Sequence, residues 1–181
     1  MKYYRKSKME LNEVYFWTST IKDWKQLLNQ DKYKKSIIEI LQDLISRKLI
    51  ILYGYVIMPN HVHFLWEAIA KNGKEMPHAS FNKAIGHMII KDLKNHHPLV
   101  LKHFEVNEKE REYRVWQRDA LAIHIDSREK FEQKLEYTHL NPLQERWNIC
   151  SRPENYQWSS AEYYETGRNK NNIISHYMDR F

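Results

Sequence analysis

The sequence predicts an α+β fold: a ferredoxin-like antiparallel sheet in the order βαββαβ, with an appended C-terminal helix that carries a tyrosine. Three observations predict it. Stretches with strand-type alternation and stretches with helical periodicity succeed one another in that order. Only Pro59-Asn60 separates the second strand run from the third, a connection short enough to force antiparallel pairing. A further helical stretch follows the last strand.

Residues 13–21, "EVYFWTSTI", are β-branched and aromatic and read as the first strand. Over residues 33–47, Ile37, Ile38, Leu41, Leu44 and Ile45 recur at helical spacing. Residues 49–58 form a second strand and "HVHFLWE", residues 61–67, a third. The loop "KNGKEMPH" leads to a second helix marked by Phe81, Ile85, Ile89 and Leu93, with Ser80 as the expected cap. "YRVWQ", residues 113–117, reads as the fourth strand. Residues 127–140 are the appended helix, opened by Ser127. The chain is read as one domain over residues 1–181, with a basic tail at 1–10 and a weakly patterned tail at 147–181.

Composition narrows the functional classes. Apolar residues make up 42% of the 181, enough for a real core. No apolar run approaches membrane-spanning length, and "MKYYRKSKMELNEVYFW" lacks the pattern of a signal peptide. The lone Cys150 excludes an intrachain disulfide and suits a reducing cytosol. The net charge of +6 fits a polyanion partner without requiring one. Its distribution says more. Arg5 and Lys6 adjoin Tyr3 and Tyr4, and Arg114 and Arg118 flank Trp116; such mixtures grip phosphates and stack on unpaired bases. A solvated tail and an ordinary amphipathic strand remain open as readings of the same residues.

On a strand, His61, His63, Leu65 and Glu67 share one face, while Val62, Phe64 and Trp66 face the core. Two imidazoles so placed can bind one metal ion, or be two half-buried, hydrogen-bonded histidines. In the appended helix, Phe131 and Leu135 define the buried stripe and Tyr137 lies far from it. Asn141 follows one turn later on the face of Tyr137, and Pro142 ends the helix there. By themselves these are a surface tyrosine and a helix stop. Beside a histidine pair they acquire a chemistry: two imidazoles and an amide oxygen suit Mg²⁺ or Mn²⁺ used with a phosphate, which a nearby phenol can attack.

"YVIMPNHVHFLW" followed by "YTHLNPLQERW" resembles the single-tyrosine HUH transposases, and among them the REP-associated tyrosine transposases. "VWQR" (115–118) and "NYQWSSAEYY" (155–164) also resemble family segments, so the likeness runs from Val14 to about Tyr164. The resemblance implies a nucleophile at Tyr137 and metal ligands at His61, His63 and Asn141. It implies single-stranded or hairpin DNA as substrate, a 5′-phosphotyrosine intermediate, rejoining of strands, and a possible homodimer, since strand exchange needs two cleavages. It also implies a bacterial cytoplasmic protein, nucleoid-associated when bound to DNA. The chain departs from the family after "VWQR", where Ala120, Leu121 and Ala122 replace aromatic residues and an Asp, so no target sequence or hairpin preference carries over. Two alternatives are a domesticated DNA-binding protein that does not cleave and a metal-dependent phosphoesterase that uses water.

Overall fold

The computed structural model describes residues 8–181. In chain order the elements are β1 (Val14–Thr20), α1 (Asp31–Ser46), β2 (Ile50–Ile57), β3 (His61–Ala68), α2 (Pro77–His96), α3 (Pro98–Leu101), β4 (Glu105–Glu108), β5 (Arg111–Tyr113), β6 (Leu121–His124), α4 (Arg128–Leu140) and α5 (Ala161–Thr166). The main sheet runs β2-β3-β1-β6 with every neighbour antiparallel, which is the order expected of a βαββαβ unit with β6 in fourth place.

The two faces of this sheet are covered differently. On one, Trp17, Val62, Phe64 and Trp66 pack against Ile37 and Leu41 of α1 and Phe81, Ile85 and Ile89 of α2. On the other, Val14, Phe16, Tyr53 and Leu65 receive Phe131 and Leu135 of α4. The Leu135 side chain of this helix packs directly over Gly54 of β2: a Cβ there would stand 2.7 Å from a Leu135 methyl, which would have to shift. Ser127 caps α4, its Oγ accepting from the Lys130 N–H at 3.3 Å.

Three local expectations are corrected. The fourth strand is Leu121–His124, not "YRVWQ". Arg111–Tyr113 instead pairs with β4 in a separate hairpin, and Trp116 makes a single bridge to Ile21. Val115 and Trp116 are both buried, whereas a strand covering one core would alternate. Helix α2 starts with Pro77 at its first position, so Ser80 lies inside it and bonds Asn72 and Glu75. Pro142 does not force Asn141 out of the helical region; Asn141 stays there and opens a single 3₁₀ turn, Asn141–Leu143.

The weakly patterned C-terminal stretch closes the outer edge of β2. The Ile57 N–H donates to the Trp158 carbonyl, the Ser160 N–H to that of Tyr55 and the Ser175 N–H to that of Leu52. Tyr164 and Tyr156 hydroxyls donate to the carbonyls of Tyr53 and Ile57, each at 2.7 Å. Tyr177 then stacks on Phe131 with ring centres 4.9 Å apart, and Arg180 donates to the buried carboxylate of Glu67. This edge-covering role leaves no periodicity in the sequence, because backbone groups and scattered tyrosines carry it.

Candidate active site

The site grows from β3, the strand flanked on both sides in the sheet. His61 and His63 open it, both nearly buried, with ring centres 4.6 Å apart. Each ring is oriented from behind. Asn60 Nδ2 donates to the Trp24 carbonyl, which turns its Oδ1 toward His61 Nδ1 at 2.6 Å. His61 Nδ1 therefore carries the proton and Nε2 the lone pair. Thr18 stands opposite His63 across the β1–β3 ladder, and its Oγ1 meets His63 Nδ1 at 2.7 Å. A proton on that nitrogen again leaves Nε2 as the acceptor.

Helix α4 brings the remaining groups. Tyr137 sits with its ring centre 5.4 Å from that of His63 and 5.9 Å from that of Phe16, and it is 41% exposed. Phe16 stacks on the other side of the triangle, 5.0 Å from His63. One turn on, Asn141 is fully buried at the end of α4. It lies near enough to His61 to favour the protonated ring slightly, yet neither of its amide atoms makes a hydrogen bond of good geometry.

That is an unusual accumulation of unsatisfied groups. His63 Nε2, both polar atoms of Asn141 and the indole N–H of Trp147 are buried without a partner, and the Trp147 ring lies 6.0 Å from His61. Buried polar atoms ordinarily find partners, because leaving one unpaired costs about 1–3 kcal/mol. Burial pushes the pKa of His61 down to about 4, helped by the positive charge of Arg146. Burial likewise holds His63 well below the ordinary range, with His61, Arg146 and Lys134 adding repulsion. Both rings are neutral ligands-in-waiting at neutral pH. Two imidazole nitrogens and an amide oxygen fit a divalent cation that also takes phosphate oxygens. Among the described residues no cluster of three or more His, Cys, Asp or Glu could hold a metal ion.

The other expected residues are not brought to it. Tyr3, Tyr4, Arg5 and Lys6 lie outside the described residues. Trp116 is buried beside Phe81, with its N–H donated to the Asn82 carbonyl, so its faces do not offer a stacking platform. Arg114 and Arg118 both bind Glu108. These two arginines do line a cleft of about 740 Å³ with Lys83, His87 and Arg111, but Glu110 and Glu112 line it too, and it shares no residue with the histidine site. His139 donates or accepts at Ser160 Oγ, 2.8 Å away, and Glu67 is held by Tyr53 and Arg180; neither faces the imidazoles as a ligand. Sequence reasoning misses Thr18, Asn60 and Trp147. Thr18 is recoverable only with the strand register in hand, and "PNH" reads along the chain as a turn alone.

The sequence matches no protein-family model and no curated protein. The fold is similar to that of a REP-associated tyrosine transposase solved bound to a REP hairpin. The TM-score is 0.61 at 16% identity, covering 97% of this chain and 92% of that one. At that identity the likeness establishes the fold.

Proposed function

We propose that this chain is a DNA strand-transfer enzyme of the transposase type, acting on single-stranded or hairpin-containing DNA. The observation that carries the reading is the meeting of Tyr137 with two neutral, pre-oriented imidazoles and a buried, unpartnered amide. His61, His63 and Asn141 would hold Mg²⁺ or Mn²⁺. When bound, such an ion supplies Lewis acidity to the phosphate oxygens.

The chain's own residues do the rest. Asn60 fixes the tautomer of His61, and Thr18 holds the His63 ring through Nδ1; with the Nδ1 proton in place each ring keeps its Nε2 lone pair. Phe16 and His63 confine the ring of Tyr137, which restricts the directions its oxygen can take. In the reaction the phenolic oxygen bonds to phosphorus, the bond to the 3′ oxygen breaks, and that oxygen takes up a proton. The product is a 5′-phosphotyrosine link and a free 3′ end; attack by another 3′ hydroxyl reverses the step and rejoins DNA. Full exchange requires two such cleavages, which two copies of the chain can supply.

Labelled single-stranded and hairpin oligonucleotides incubated with Mn²⁺ should yield a denaturation-resistant protein–DNA adduct. DNA bound but never cut would favour a non-cleaving binding protein. Cutting without an adduct would favour a phosphoesterase that uses water.

A further inference from the structure

We propose that Lys134 is a further catalytic residue, whose ammonium holds a nonbridging oxygen of the phosphate that Tyr137 attacks. The inference rests on Tyr137 being the nucleophile. Lys134 precedes Tyr137 by three positions, so the two share a face of α4. Its Nζ lies 5.4 Å from the centre of the Phe16 ring and 5.9 Å from that of Tyr137. Those rings, with His63, wall the site.

The neighbouring cations of the same helix behave differently. Arg128 pairs with Glu132 at 2.8 Å, and Lys130 reaches Asp126 at 3.5 Å. Lys134, half-buried, has no ion pair among the described residues and turns its head onto the aromatic wall instead. Ring faces attract an ammonium but accept few of its three N–H donors. A phosphate oxygen would satisfy them and match the charge.

The contact would also strengthen as the reaction proceeds, since charge on the phosphate oxygens must be stabilised most at the transition state. Lys134 forms and breaks no covalent bond. The bond formed joins Tyr137 Oη to phosphorus, and the bond broken frees the 3′ oxygen. The phenolic proton leaves to water, and the 3′ oxygen takes one from water.

The test compares the parent protein with Lys134→Gln and Lys134→Arg. Single-turnover adduct formation with Mn²⁺ should slow about 100-fold in Lys134→Gln, the scale of losing one positioned charge-stabilising donor, and recover in part in Lys134→Arg. Binding is then read in EDTA on a Tyr137→Phe background, with the phosphate at the mapped cleavage position either native or replaced by a neutral methylphosphonate. Neutralising that phosphate should weaken binding when Lys134 is present and make no further difference in Lys134→Gln. Adduct formation by Lys134→Gln at the parent rate would overturn the proposal. So would an arginine variant as slow as the glutamine one, or equal sensitivity to the neutral phosphate with and without Lys134. No adduct from the parent protein would instead defeat the reading of Tyr137 itself.

Discussion

The two faces of β3 differ by a single residue in register and by everything in chemistry. Val62, Phe64 and Trp66 look into an aromatic core closed by α1 and α2, where Trp17, Phe64, Trp66 and Phe81 pack edge and face. His61 and His63 look toward α4, a shorter helix that buries only Phe131, Leu135 and Thr138. The core face does leave the indole N–H groups of Trp17 and Trp66 unpaired, but each is enclosed by rings. The α4 face leaves acceptors unpaired on an imidazole and an amide, which are groups able to take a cation. One face is arranged for cohesion, the other holds unsatisfied polarity at a cost in stability.

The sharpest way to break that contrast is to truncate one residue on each side. Phe64→Ala should cost about 3–5 kcal/mol in urea unfolding, the usual range for a fully buried phenylalanine. Tyr137→Phe keeps the ring of a part-exposed residue and should leave the urea midpoint unchanged. It should nevertheless lower adduct formation by about a thousandfold or more, as loss of a nucleophile does. Comparable unfolding penalties for the two would erase the distinction.

Acid should expose the same asymmetry. His61 and His139 have folded pKa values near 4, and His63 lies well below its ordinary range, each chiefly through burial. In the unfolded chain these rings titrate near about 6.5. Between the two values the unfolded state binds more protons, so stability is full above the unfolded pKa and falls as pH drops toward 4. Unfolding free energies from urea titrations in EDTA at pH 7.5 and 5 should therefore differ by a few kcal/mol, since each ring loses on the order of 1.4 kcal/mol for every tenfold difference in proton affinity between the two states. A flat profile would mean that the rings are solvated.

Smallest, and most specific, is Asn141→Leu. Its side chain is fully buried with no partner for either polar atom. Replacing it by an apolar group of similar size should stabilise the metal-free protein by about 1–3 kcal/mol while abolishing adduct formation. Destabilisation in EDTA would show that the amide is satisfied after all.

Much of this is readable in the chain. The period-2 alternation of "HVHFLWE" separates the two faces directly, and Phe131 and Leu135 orient α4 so that Tyr137 and Asn141 fall together. The fourth strand is not, because "LAIH" is short and half-buried while "YRVWQ" advertises itself with larger residues. The supporting residues Thr18 and Asn60 act through contacts across a ladder and a turn, which no spacing along the chain encodes.

The covering of β2 bears on assembly. A four-stranded sheet has two free margins at which another polypeptide can add backbone to backbone. Here the chain's own residues 156–175 occupy the β2 margin with backbone and tyrosine donors. Among the described residues β6, at the far margin, pairs only with β1, so a second copy that lengthened this sheet would enter there. A continuous sheet shared by two copies would then place their two tyrosine helices symmetrically about the β6 seam, each still seated on its own β2 and β3.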